Sequence, residues 1–275
     1  MQLFKLSSIL FLIWCISCSP PKAIFDNSGS FTLKKNINKL ISSYGLNVNM
    51  GIKILSLTTG ETLYSLNSQK LLMPASNNKL YTCAAALEKL GSDYRFKTFV
   101  LRDGNNLILR GGGDPDLTID QLDSLAKITA KKINLIDTLF VDESLLDSLH
   151  YGQGWMWDEG AWWYAAPISA MSLNDNCIDF YVGPGELGQP AGVEMAPETE
   201  YVHLINQSTT TNDTIDFNKF RIDRDWAGRT NFFIISGEVL NTASTDTFQR
   251  NIFDPVLFSG TVFKEQLRNY GVDVN

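Results

Sequence analysis

A chain of 275 residues has room for one large core or two moderate ones, and its 44% hydrophobic and 19% charged content is ordinary globular composition, which excludes a disordered chain. The formal charge of −7 comes from interspersed acidic and basic residues, so no basic footprint exists and nucleic acid is excluded as a main partner. With two histidines, His150 and His203, a histidine metal site or a serine–histidine pair has little to draw on.

In chain order, Lys5 precedes the apolar run Ile9 to Trp14, which is too short to span a bilayer stably. Followed by Cys15-Ile16-Ser17-Cys18, residues 1–17 resemble a bacterial lipoprotein signal. The resemblance implies a diacylated Cys18 heading the mature chain, anchored on the periplasmic side of the cell envelope. A plain secretory signal is the alternative, and both lead out of the cytoplasm. Cleavage after residue 17 would separate Cys15 from Cys18, so their Cys-x-x-Cys spacing is not read as a metal site. Cys83 and Cys177 suit a disulfide or buried free thiols equally.

Residues 18–30 read as a tether. Leu33, Ile37, Leu40 and Ile41 at helical spacing predict a helix over 31–44, stopped by Gly45. Leu46–Leu55 and Thr62–Leu66 predict a hairpin around Thr58-Thr59-Gly60-Glu61. A helix of about four turns is then expected between Pro74 and Gly91, with Leu80, Ala84, Leu87 and Leu90 at helical spacing.

That helix begins with Met73-Pro74-Ala75-Ser76-Asn77-Asn78-Lys79-Leu80. Residues i and i+3 share a helix face, so Ser76 and Lys79 are expected in hydrogen-bond reach. A serine hydroxyl is a poor nucleophile without a neighbouring base, which a desolvated lysine near a helix N-terminus can supply. Ser76 is the candidate nucleophile and Lys79 the candidate base. Against this, Ser-x-x-Lys recurs by chance, and Ser76 alone could be a helix cap.

Farther on, Phe96–Leu101 and Leu107–Arg110 predict strands, Ile119–Ile133 a helix, and Leu139–Val141, Ile178–Val182 and Phe232–Ile235 further strands. Gly111-Gly112-Gly113 lacks the Lys-Ser/Thr of a phosphate loop and reads as a tight turn. Trp155, Trp157, Trp162 and Trp163 could stack on glycan sugars, though so dense a group more often packs an inter-domain contact. Val262, Phe263, Leu267 and Tyr270 predict a last helix after Pro255, ended by Gly271.

The hairpin with its Thr-Gly-Glu turn, the Ser76-x-x-Lys79 helix, Leu109-Arg110-Gly111-Gly112-Gly113-Asp114-Pro115-Asp116, Gly154-Trp155-Met156-Trp157-Asp158 and Ala166-Pro167-Ile168-Ser169-Ala170 together resemble the D-alanyl-D-alanine carboxypeptidase/endopeptidase family of penicillin-binding protein 4 type. The resemblance implies an α+β fold: a β-lactamase/transpeptidase-like domain, an antiparallel sheet with helices, interrupted by an inserted β-rich domain. Residues 31–95 would be its first segment, 96–248 the insertion and 249–275 the return. It further implies acyl transfer from peptidoglycan stem peptides, β-lactams as covalent inhibitors, and no cofactor. The family's second Ser-x-Asn motif follows the insertion, so Ser172-Leu173-Asn174 is read as structural. No Lys-Thr-Gly occurs, so the chain is expected to lack the C-terminal part of the first domain and to be inactive as it stands. A non-catalytic lipoprotein binding peptidoglycan or a partner is the competing reading.

Overall fold

The computed structural model describes residues 28–156, 158–216 and 218–275. The signal segment 1–17, Cys18, most of the tether and Trp157 lie outside the described residues. The chain divides into two compact units, one ending at Ser92 and one running from Asp93 to Asn275.

In the first unit, helix α1 (Ser28–Ser43) packs on a hairpin of β1 (Ile52–Leu55) and β2 (Thr62–Leu66). Tyr64 is buried between them, and its hydroxyl donates to Asn38 Oδ1 at 2.6 Å. The antiparallel register pairs Ile52 with Leu66 and Ile54 with Tyr64. Only the last four residues of the expected strand Leu46–Leu55 pair, because β2 offers just five partners. Gly60, at φ 72°, closes the turn, its N–H donating to Ser56 O at 2.8 Å. A single 3-10 turn (Ala75–Asn77) then leads into α2 (Asn78–Leu90), which ends at Gly91 with φ 81°.

The second unit holds most of the core. Strands β3 (Phe99–Asp103), β4 (Asn106–Arg110) and, after helix α3 (Ile119–Ala130) and the short β5 (Leu135–Ile136), β6 (Leu139–Asp142) form a sheet ordered β3-β4-β6. Helix α3 starts in a full capping box, Thr118 Oγ1 accepting from Gln121 N–H while Gln121 Oε1 accepts from Thr118 N–H. Strand β7 (Cys177–Gly183) is flanked antiparallel by β8 (Gly192–Ala196) and by β14 (Asp246–Asn251). Between them in sequence come β9 (His203–Asn206), β10 (Thr209–Thr211), β11 (Arg221–Arg224), β12 (Phe232–Ser236) and β13 (Glu238–Leu240). Strand β12 pairs antiparallel with β11 and parallel with β9, and β10 pairs parallel with β13. Phe180 of β7 meets Phe233 of β12 with ring centroids 5.0 Å apart in the core.

Helix α4 (Pro255–Asn269) begins at the N-cap Asp254, whose carboxylate accepts from Leu257 N–H at 3.0 Å. Segment 249–275, expected as a return to the first domain, here packs within the second unit. Phe258, Val262, Phe263 and Leu267 join its core, α4 lies on α3 and β6, and β15 (Asp273–Val274) pairs with β5. Amphipathic spacing marks a face to be buried but not the core that buries it.

Candidate functional site

The Ser76–Lys79 pair sits where the 3-10 turn meets α2. Pro74 supplies the φ of −71° that starts the turn, and its carbonyl accepts from Asn77 N–H at 2.9 Å. Ala75 adopts φ 45°, a left-handed conformation that costs a non-glycine residue about 1–2 kcal/mol. The residue that follows this left-handed position is Ser76. The aligned peptides of α2 put partial positive charge at this end.

Ser76 and Lys79 are both exposed, and among the described residues no hydrogen bond joins them. The expected serine–lysine contact is therefore not made. Helix α2 buries none of its residues, and Leu80, Tyr81 and Leu87 stay open, so no packing fixes the rotamers at its first turn.

The other sequence motifs lie in the second unit. Ser172 accepts from Asn176 Nδ2 at 3.0 Å and donates to Ser169 O at 2.9 Å, in a turn where Asn174, Asp175 and Asn176 all have left-handed φ near 50° (50°, 55° and 54°). Asn and Asp tolerate that region, and the two bonds tie Ser172 into the turn. Two of the three glycines make close approaches: a Cβ on Gly111 would collide with the Ala170 carbonyl and one on Gly112 with the Lys97 carbonyl. Trp162 carries the Arg250 guanidinium 4.6 Å above its ring, while Trp155 and Trp163 remain about half exposed. Cys83 and Cys177 are free thiols.

One cavity gathers residues that the sequence does not group, although Trp155 among them is a candidate for stacking on sugars. A cavity of about 780 Å³ in the second unit is walled by His150, Tyr151, Trp155, Trp226 and Phe253, with Arg224 among its lining. The only sequence sign of it is the clustering of aromatic residues around 151–164. Among the described residues no cluster of His, Cys, Asp and Glu is placed to hold a metal, and no helix is long and apolar enough to cross a membrane.

A family model described as the D-Ala-D-Ala carboxypeptidase 3 (S13) family matches residues 33–275. The D-alanyl-D-alanine carboxypeptidase of Actinomadura sp. (strain R39) is 30% identical over 271 residues, covering 92% of this chain and 50% of that protein. The D-alanyl-D-alanine carboxypeptidase DacB of Haemophilus influenzae is 30% identical over 168 residues, covering 55% of this chain and 35% of its own. The chain thus spans half or less of these relatives' length. The crystal structure of penicillin binding protein 4 (dacB) from Haemophilus influenzae superposes with a TM-score of 0.66 at 22% identity, over 82% of this chain and 52% of that one. The likeness extends to that protein's complex with a β-lactam, at a TM-score of 0.63. The mixed α+β fold is therefore shared, and the extent of the family match shows that the chain belongs to the D-Ala-D-Ala carboxypeptidase 3 (S13) family of serine D,D-carboxypeptidases.

Proposed function

We propose that the chain carries the nucleophile and base of a serine D,D-carboxypeptidase or endopeptidase that cleaves peptidoglycan stem peptides through an acyl-enzyme on Ser76. The observation that carries this is the turn-to-helix junction, where strained Ala75 precedes Ser76 and Lys79 follows within one turn. The Ser76 hydroxyl oxygen attacks the carbonyl carbon of a D-alanyl peptide bond while its proton passes to Lys79 Nζ. Backbone N–H groups hold the oxyanion, the amine leaves with the proton, and water releases the acyl group. In this reading the first unit is the opening segment of the transpeptidase-like domain and the second unit begins the insertion. β-Lactams acylate the same serine, in line with the β-lactam complex of the Haemophilus protein.

Because Ser76 and Lys79 are exposed, we expect acylation of the 275-residue chain to be slow. Incubation with a fluorescent penicillin, read by gel and intact mass, should give a weak adduct that disappears in Ser76→Ala. An adduct that survives Ser76→Ala sinks the assignment, and rapid stoichiometric labelling sinks the claim of weak reactivity.

The half-exposed Trp155 and Trp163 of the second unit favour one second reading, a non-catalytic lipoprotein that binds peptidoglycan or a partner. Sedimentation with insoluble peptidoglycan that is unchanged by Ser76→Ala, with no penicillin adduct at all, would select it. Either reading places the chain on the periplasmic side of the envelope, anchored through Cys18. Incorporation of a clickable fatty acid, abolished in Cys18→Ala, tests the anchor.

A further inference from the structure

The cavity in the second unit has a buried cation in its lining. Arg224 is 5% exposed, and its Nε, Nη1 and Nη2 donate to Asn251 O at 3.1 Å, Thr230 O at 2.9 Å and Asn251 Oδ1 at 2.9 Å. All three acceptors are neutral, and a guanidinium has five N–H groups, so two find no acceptor among the described residues. The adjacent carboxylate, Asp225, accepts from Gly228 N–H and Thr230 Oγ1. Burial pushes the Arg224 guanidinium down from its ordinary value, the mark of a cation lacking full compensation.

The remaining charged groups lining the cavity leave the balance positive. Arg229, exposed and held at φ 53°, has no ion pair among the described residues. Glu159 is the one acid in the lining, and its carboxylate raises the nearby Tyr164 hydroxyl above its ordinary value. His150 is engaged by Glu143, Nε2 to Oε1 at 3.1 Å. Aromatic surface supplies the walls: Tyr151 and Trp155 meet edge to face at 5.9 Å, and the Trp226 ring lies against Gly160, where a Cβ would stand 3.4 Å from its edge.

We propose that this cavity, whose lining contains neither Ser76 nor Lys79, binds a carboxylate carried on a ring or short peptide body, with Arg224 and Arg229 taking the carboxylate and Trp226 and Trp155 the body. A volume of about 780 Å³ suits a ligand of one or two sugar rings or a dipeptide. Paired arginines match carboxylate geometry, and aromatic faces stack on apolar ring surfaces. The inference does not rest on the chemistry of Ser76.

Ligand-observed NMR and tryptophan fluorescence on the full chain test it with three probes: N-acetylmuramic acid, the neutral N-acetylglucosamine, and N-acetyl-D-alanyl-D-alanine. At least one acid should bind saturably and on the order of tenfold more tightly than the neutral sugar. Binding of only the sugar acid, or only the peptide, identifies the source of the carboxylate. Arg229→Ala should weaken the bound acid on the order of tenfold, and Arg224→Met should abolish binding. Since Arg224 also ties Asn251 and Thr230, circular dichroism checks that variant's fold, and Arg229→Ala with Trp226→Ala carries the test if it fails. Equal affinity for acid and neutral sugars, indifference to both Arg229→Ala and Trp226→Ala, or no saturable binding by any probe overturns the proposal.

Discussion

Arg224 and Asn251 hold each other through two contacts, Nη2 to Oδ1 at 2.9 Å and Nε to the backbone carbonyl at 3.1 Å, with both residues buried. Asn251 Nδ2 meanwhile donates to Gly160 O at 3.1 Å and Trp162 O at 2.8 Å, so one amide ties β11, β14 and the aromatic segment together. Asn251→Leu removes an acceptor from a buried cation and a donor from two carbonyls, and should cost about 2–4 kcal/mol in urea unfolding. A double-mutant cycle with Arg224→Met should return a coupling of about 1.5–3 kcal/mol, and strict additivity of the two would show that the contact is energetically idle.

Gly112 leaves no room for a side chain. A methyl group there meets the Lys97 carbonyl, which belongs to backbone and cannot swing away. Gly112→Ala should therefore destabilise the second unit by about 1–3 kcal/mol, as overpacking does elsewhere. Gly104, in the β3–β4 turn, has open space around the same position but φ 59°, so Gly104→Ala carries conformational strain alone, about 1 kcal/mol. Chemical denaturation of the pair should place Gly112→Ala lower, and the reverse order would contradict the collision.

How far the sequence reveals these features depends on how local their causes are. Helix α3 is legible from Thr118, Gln121 and the apolar spacing of Leu122 and Ala126, all within a few residues. Strands such as Thr209–Thr211 and Glu238–Leu240 are three residues long and carry no readable period. The spacing of Ser76 and Lys79, with Pro74 before and Gly91 after, marks the turn and the helix, yet exposure at that helix depends on what packs there. Arg224 reads as a surface residue, and only its pairing with Asn251, 27 residues later, and with Thr230 shows it as buried.

Acid should expose the contribution of Asp142. Hydrogen bonds from Ser144, joined by Arg110 at 2.6 Å, hold its carboxyl at about 2, below the ordinary 3.8. With its folded value below the unfolded one, the carboxylate stabilises fully above the unfolded value, and that gain is lost as pH falls from there through about 2. The Arg110 side chain is half exposed, so solvent screening limits the gain to under about 1 kcal/mol. Asp142→Asn should thus lower the urea midpoint slightly at pH ~6 and converge on the parent as pH falls below ~3. A constant gap between the two curves down to that pH would assign the effect to packing.

Thiol titration separates the two remaining cysteines. Cys177 is fully buried, its thiol donates to Asp175 O at 3.3 Å, and burial, reinforced by Asp175 and Asp179, pushes it up from its ordinary value. The reactive thiolate is therefore suppressed there, whereas Cys83 lies exposed on α2. In a variant with Cys15 and Cys18 replaced by serine, an aromatic disulfide reagent should modify Cys83 promptly and Cys177 only at the rate of unfolding. Denaturant should release the second equivalent at once, and Cys83→Ser should remove the fast phase. Loss of both equivalents until a reductant is added would instead establish the disulfide between Cys83 and Cys177 that the sequence leaves open.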